Sequence, residues 1–86
     1  MRYKELLKLI PEILKEVEDE LMKSNITFKL FNSTHEGYGI IKEKFDELWN
    51  EIKKSKEVYN INDRIKEKAI HTMVMCLKLI ISFSKK

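Results

Sequence analysis

Residues 69–83, AIHTMVMCLKLIISF, are the most apolar stretch of the chain, and their reading decides the rest. Projected at about 100° per residue, the apolar side chains of this helix cover nearly its whole circumference. One narrow polar stripe remains, made of Glu67, His71, Lys78 and Ser82. A helix apolar almost all round is a central helix, contacted from several sides. The stretch falls short of a membrane span and contains His71 and Lys78, so no membrane segment is expected. A polar linker, Ser55 to Asn62, precedes this helix, with Val58, Tyr59 and Ile61 as its apolar members. Asn60 or Asn62 is placed to cap the first free N–H groups.

Two further helical segments precede it. Tyr3, Leu6, Leu7, Ile10, Ile13, Leu14, Val17 and Leu21 recur at helical spacing and stay in phase. Pro11 lies inside that stripe, where it removes a donor and clashes with the carbonyl four residues back. The spacing therefore predicts one helix kinked near Leu7, the alternative being two short helices with Pro11 in the first turn of the second. Ser24-Asn25 is expected to end this segment, and Ile26 to Phe31 to cross onward in irregular or extended form. The second helix opens on a capping box, Ser33-Thr34-His35-Glu36, with Glu36 expected to reach back to the Ser33 N–H. Its apolar positions are Ile40, Ile41, Phe45, Leu48, Trp49 and Ile52, with an end near Lys54. Gly37 and Gly39 in its first turns allow close approach of another backbone or a ligand.

The fold expected is all-α: a single domain over residues 1–86, with three main helices forming a bundle completed by oligomerisation. An 86-residue chain makes only a marginal core. Two helices do not cover the third, so a homodimer or homotetramer is expected, with Met73, Leu77 and Ile80 nearest other helices. Of its residues 43% are hydrophobic and 36% charged, and only two are glycine and one proline, which argues against disorder and against tight-turned sheets. The net charge of +3 is carried almost wholly by lysines interleaved with glutamates, with Arg2 and Arg64 the sole arginines. That is a solvated, salt-bridged surface rather than a nucleic-acid face. Cys76 is the lone cysteine and reads as a small core residue. Lys4, Glu5 and Lys8 interrupt the first apolar stretch, so no signal peptide is read and a cytoplasmic protein is expected.

The candidate chemistry lies on the second and third helices. Glu43 and Glu47 are four residues apart, as are Glu67 and His71, so each pair shares a helix face. Two such pairs on facing helices could hold a divalent metal, although a chain rich in Glu and Lys makes such pairs by chance. The apolar face of the second helix centres near Phe45 and Ile41, with positions 44, 47 and 51 along one flank. Glu43 falls about 160° from that centre, in water, which leaves Glu47 and Glu51 as the better metal candidates and Lys44 nearest the core. Glu36 is accounted for by the cap. His35 is a surface residue, a metal ligand or a phosphate contact. Tyr38 and Trp49 read as core or interface side chains rather than a stacking platform.

The run STHEGYGIIKEKFDELW, residues 33–49, resembles small phage and microbial proteins with a pattern close to S-x-H-E-G-Y-A-V-I-x-E-E-L-D-E-L-W. Those are similar to the MazG-like all-α nucleoside triphosphate pyrophosphohydrolases. EKAIHTMVMC, residues 67–76, follows more loosely the family stretch E-E-A-x-Q-V-A-A-M-A. The resemblance covers about residues 31–83. It implies an α-helical bundle that dimerises or tetramerises and magnesium-dependent hydrolysis of a nucleoside triphosphate to monophosphate and pyrophosphate. The family's E-x-x-E falls on Lys44 and Glu47 and its E-x-x-D on Lys68 and His71. Two ammonium groups repel the hard dication that four carboxylates would hold. The expectation is a family scaffold whose magnesium site is lost or rebuilt. It would act by binding a partner protein, or a nucleotide whose phosphates meet Lys44 and Lys68. Two alternatives stand beside it. One is an active enzyme with a displaced site using Glu43, Glu47, Glu51, Glu67 and His71. The other is a structural or adaptor bundle of a virus or mobile element.

Overall fold

Asn62 caps the central helix. Its side-chain oxygen accepts the Ile65 N–H at 2.8 Å, and the residues that follow form α3, Asp63–Phe83. Asp63 in the first turn adds a negative charge where the helix dipole favours one. Before it come α1, Tyr3–Lys23, and α2, Thr34–Lys54. The structure, a computed structural model, describes residues 2–23 and 30–84. The expected end at Ser24-Asn25 and most of the crossing from Ile26 to Phe31 lie outside the described residues. Among those residues no strand forms, and no helix is long and apolar enough to cross a membrane.

α3 packs against both other helices, and among the described residues α1 and α2 do not pack on each other. Glu51 meets Arg64, Glu47 meets Lys68 and Gly37 faces Leu79, so α2 runs antiparallel to α3. The start of α2 is fastened twice. Ser33 accepts the Glu36 N–H at 3.0 Å, and Glu36 reaches back at 2.7 Å to the Asn32 N–H, one residue before the donor expected. Phe31 is buried, donates its N–H to Ser82 Oγ at 3.0 Å, and lies under the Lys78 ammonium, 4.6 Å from its ring. The far end of the polar stripe on α3 thus fastens the entry to α2 instead of facing open water.

α1 is one helix across Pro11, not two. It joins the body through its second half, where Val17 packs with Ile70 and Val74, flanked by Leu21, Met75 and Leu77. Glu16 also pairs with Lys66 at 3.1 Å. The first half of the same apolar stripe stays uncovered: Tyr3 is 72% exposed, Leu7 52% and Leu14 55%.

α2 sits differently from the sequence expectation. Ile41 is buried, but Phe45 and Trp49 are more than half exposed. The apolar arc of α2 is wide, and α3 covers only one edge of it. Gly37 and the polar links at Glu47 and Glu51 fix which edge that is. Leu77 packs against the core, whereas Met73 and Ile80 remain exposed.

The core is thin. No large side chain among the described residues is fully buried. The accessible surface of 7142 Å² compares with about 5,350 Å² for a compact monomer of this mass. The radius of gyration, 14.6 Å, compares with about 12 Å.

The two glycines of α2 have opposite roles. A Cβ at Gly37 would stand 2.5 Å from Leu79 Cδ1 and 3.0 Å from the Phe31 ring, whereas one at Gly39 meets nothing within 4 Å. Gly37→Val is expected to destabilise by about 1–3 kcal/mol through overpacking. Gly39→Ala should stabilise by about 0.5–1 kcal/mol through helix propensity. Thermal melts of the two variants, moving in opposite directions, would check this pair.

Candidate functional site

Glu47 lies between two lysines. On α2, Lys44 is one turn earlier and places Nζ 3.7 Å from Glu47 Oε2. From α3, Lys68 places Nζ 3.5 Å from Glu47 Oε1. Both carboxylate oxygens therefore face ammonium groups. One turn beyond Lys68, His71 Nε2 stands 3.6 Å from Glu20 Oε2 of α1. Lys44, His71 and Glu20 line a cleft of about 100 Å³ floored by Val74 and Met75. The four positions that the resemblance assigns to the metal site are thus neighbours at the junction of all three helices.

Glu20 is the member that reading the sequence missed. It is three residues from Val17, so the burial of Val17 against α3 turns Glu20 toward His71. That signal was present in the spacing, but it points nowhere until the partner of Val17 is known.

The remaining candidates disperse. Glu43 is exposed on α2, and His35 is exposed in its first turn. Glu67 is exposed and lines a wider cleft of about 430 Å³ with Glu16, Glu20, Lys66 and His71. Glu51 is buried and held by Arg64 through two hydrogen bonds, 3.2 Å to Oε1 and 3.3 Å to Oε2, with Lys54 at 3.4 Å. Among the described residues no three His, Cys, Asp or Glu side chains group so as to hold a metal ion. A hard dication such as magnesium seeks several carboxylate and water oxygens in octahedral array. Glu47, flanked by two ammonium groups, does not offer that set. The residues present do not fit magnesium.

The Glu51 pair has its own pH signature. Hydrogen bonds from Arg64 hold the Glu51 carboxyl below its ordinary value. Burial opposes that shift, and the charges of Arg64 and Lys54 add to it. A folded-state value below the unfolded one, about 4.3, stabilises the fold fully above that value. The contribution is lost as pH falls through the folded value. The stability gap between wild type and Glu51→Gln should therefore be widest near neutrality and close in acid, below about pH 4. Thermal melts across a pH series would read it, and a gap independent of pH would refute it.

No family model, curated protein or solved structure matches the chain.

Proposed function

We propose that this protein is a MazG-like helical domain of the cytosol that acts by binding a protein partner rather than by hydrolysing nucleotides. The observation that carries this reading is the bridge in which Lys44 and Lys68 both pair with Glu47. Where the resemblance calls for carboxylates around a dication, this chain carries a neutralising set of its own. The lysines supply the counter-charge that a metal would bring, so the helices are joined here without one.

A protein partner is favoured over a nucleotide for a physical reason. Phosphates arriving at Lys44 and Lys68 would have to displace Glu47 from both ammonium groups while facing Glu20 nearby. A protein partner instead meets apolar surface that is already open on α1 and α2. Exposed apolar surface on this scale marks an interaction site.

The test is calorimetry with magnesium, and pyrophosphate release from ordinary and deoxy nucleoside triphosphates. The expected result is no measurable magnesium binding and no turnover above background. Robust turnover abolished by Glu47→Gln would overturn the reading and establish an enzyme.

A further inference from the structure

One apolar face stays open across all three helices. Leu14, Leu21 and Met22 of α1 and Leu77 of α3 line a cleft of about 610 Å³ on it. On α3, Met73 and Ile80 lie one turn to either side of Leu77 and are 40% and 65% exposed. The face then passes onto α2. Glu47 and Glu51 tie one edge of α2 to α3, and Ile52 and Ile65 share a smaller cleft along the other edge. Phe45 and Trp49 fall within about 60° of Ile52 on that second edge, and are 54% and 56% exposed.

The shoulders of this face are basic. On α1, Lys4, Lys8 and Lys15 lie within about 40° of one another, just past Leu7 and Leu14. On α2, Lys42 and Lys53 follow Trp49 around the helix, and the Lys53 ammonium lies 5.8 Å from its ring. The carboxylates on the same shoulders, Glu18 and Asp46, pair with Lys15 and Lys42. That leaves Lys4, Lys8 and Lys53 as the net charge of the shoulders. Glu16, Glu20 and Glu67 line the wider cleft, on another side of α1.

From this we infer that the face receives an acidic amphipathic helix of another protein, apolar along one seam with Glu or Asp on both shoulders. The inference rests on the binding role proposed above and gives the partner its chemistry. A helix docked in a groove sets side chains at three- and four-residue spacing into such a cleft. Opposed charges along the shoulders then fix its register and speed its encounter. Concavity separates a helix from a lipid surface. An element that lies on a bilayer pushes its apolar side chains outward into the acyl boundary, whereas Leu14, Leu21 and Leu77 line a hollow. Charge separates it from a second copy of the chain. A second copy brings the same lysine shoulders and the same net charge of +3, and an acidic helix neutralises both shoulders.

The probe is a synthetic helical peptide of about 18 residues, about 27 Å long, with a leucine seam, glutamate shoulders and no aromatic residue. Calorimetry on the wild type should give a micromolar dissociation constant. Trp49, the single tryptophan, should shift its emission to the blue with the same midpoint. The same peptide with lysine in place of glutamate should bind at least about tenfold more weakly. In the double variant Lys8→Glu with Lys53→Glu the preference should reverse, the lysine peptide becoming the tighter ligand. Both side chains are exposed, so helical circular dichroism should persist, and loss of fold cannot mimic a reversal.

The comparison of the two peptides on the wild type stands whatever the variant does. Equal binding of both peptides, or an unreversed preference in the folded variant, would overturn the inference. So would a Trp49 blue shift with phosphatidylserine–phosphatidylcholine vesicles but with neither peptide, which assigns the face to lipid. A wild-type dimer in light scattering that the glutamate peptide does not dissociate would assign it to a second copy. Neither substitution touches Lys44, Glu47 or Lys68, so the pyrophosphate assay judges the functional reading separately. An inert protein that ignores both peptides defeats the docking alone. An active one that binds the glutamate peptide defeats the functional reading alone.

Discussion

Val74→Asp is expected to abolish the folded state. Val74 is 3% exposed, the lowest of the buried apolar residues, and sits where α1 crosses onto α3 against Val17 and Ile70. An ionised carboxylate there would leave water at the floor of a cleft whose cationic side chains, Lys44 and His71, already face Glu47 and Glu20, and taking a charge out of water costs several kcal/mol. A domain of 86 residues has a net stability of about 4–13 kcal/mol. The thin core and excess surface place this protein toward the lower end of that range. Far-ultraviolet circular dichroism should therefore show the helical signal largely lost. Val58→Asp makes the control, because Val58 is 78% exposed in the linker and the same change there should leave the melt unaltered. A Val74→Asp protein melting cooperatively close to wild type would mean that α1 does not pack on α3 through this residue.

The second large effect is expected from Lys44→Glu with Lys68→Glu. The two changes turn the bridge at Glu47 into three carboxylates, with His71 and Glu20 adjacent. Without a cation those charges repel, and the double variant should melt below wild type. With magnesium the order should reverse. Replacing two positive neighbours of a dication by negative ones is worth at least about 1.4 kcal/mol, a tenfold gain in affinity. Magnesium at about 100 times its dissociation constant would then return about 2.7 kcal/mol of stability. Adding His71→Asp completes the four-carboxylate set that the resemblance describes and should raise the affinity again. Calorimetry and melts with and without magnesium check both steps. If the double variant takes up no more magnesium than wild type, the two lysines are not what keeps the ion away.

Much of the helix plan was legible in the sequence. The capping box at Ser33, the asparagine before Asp63 and the phase of each apolar stripe are local signals, and local hydrogen bonding fixes what they encode. Which edge of a wide apolar arc meets a neighbour is a different kind of question. On α2 the sequence centres the arc on Phe45, yet Gly37 admits Leu79 and Arg64 draws in Glu51, which turns Phe45 outward. Those choices depend on α3 and have no signature within α2 itself. The site divides in the same way. Lys44, Glu47, Lys68 and His71 were readable by spacing and resemblance, and their meeting follows from the antiparallel pairing of α2 and α3. Glu20 came from a third helix whose placement no local pattern states.

The dependence of α1 on α3 has a consequence during synthesis. α1 emerges first, and the side chains that bury its Val17, Ile70 and Val74, are made about 50 residues later. At 5–20 residues per second that interval is about 3–10 s. Through it the whole stripe from Tyr3 to Leu21 has no partner in its own chain, long after a helix of that length can form. The nascent chain therefore presents an amphipathic helix to its surroundings for seconds before α3 arrives. A ribosome-associated chaperone that captures such helices would meet this chain by its first segment.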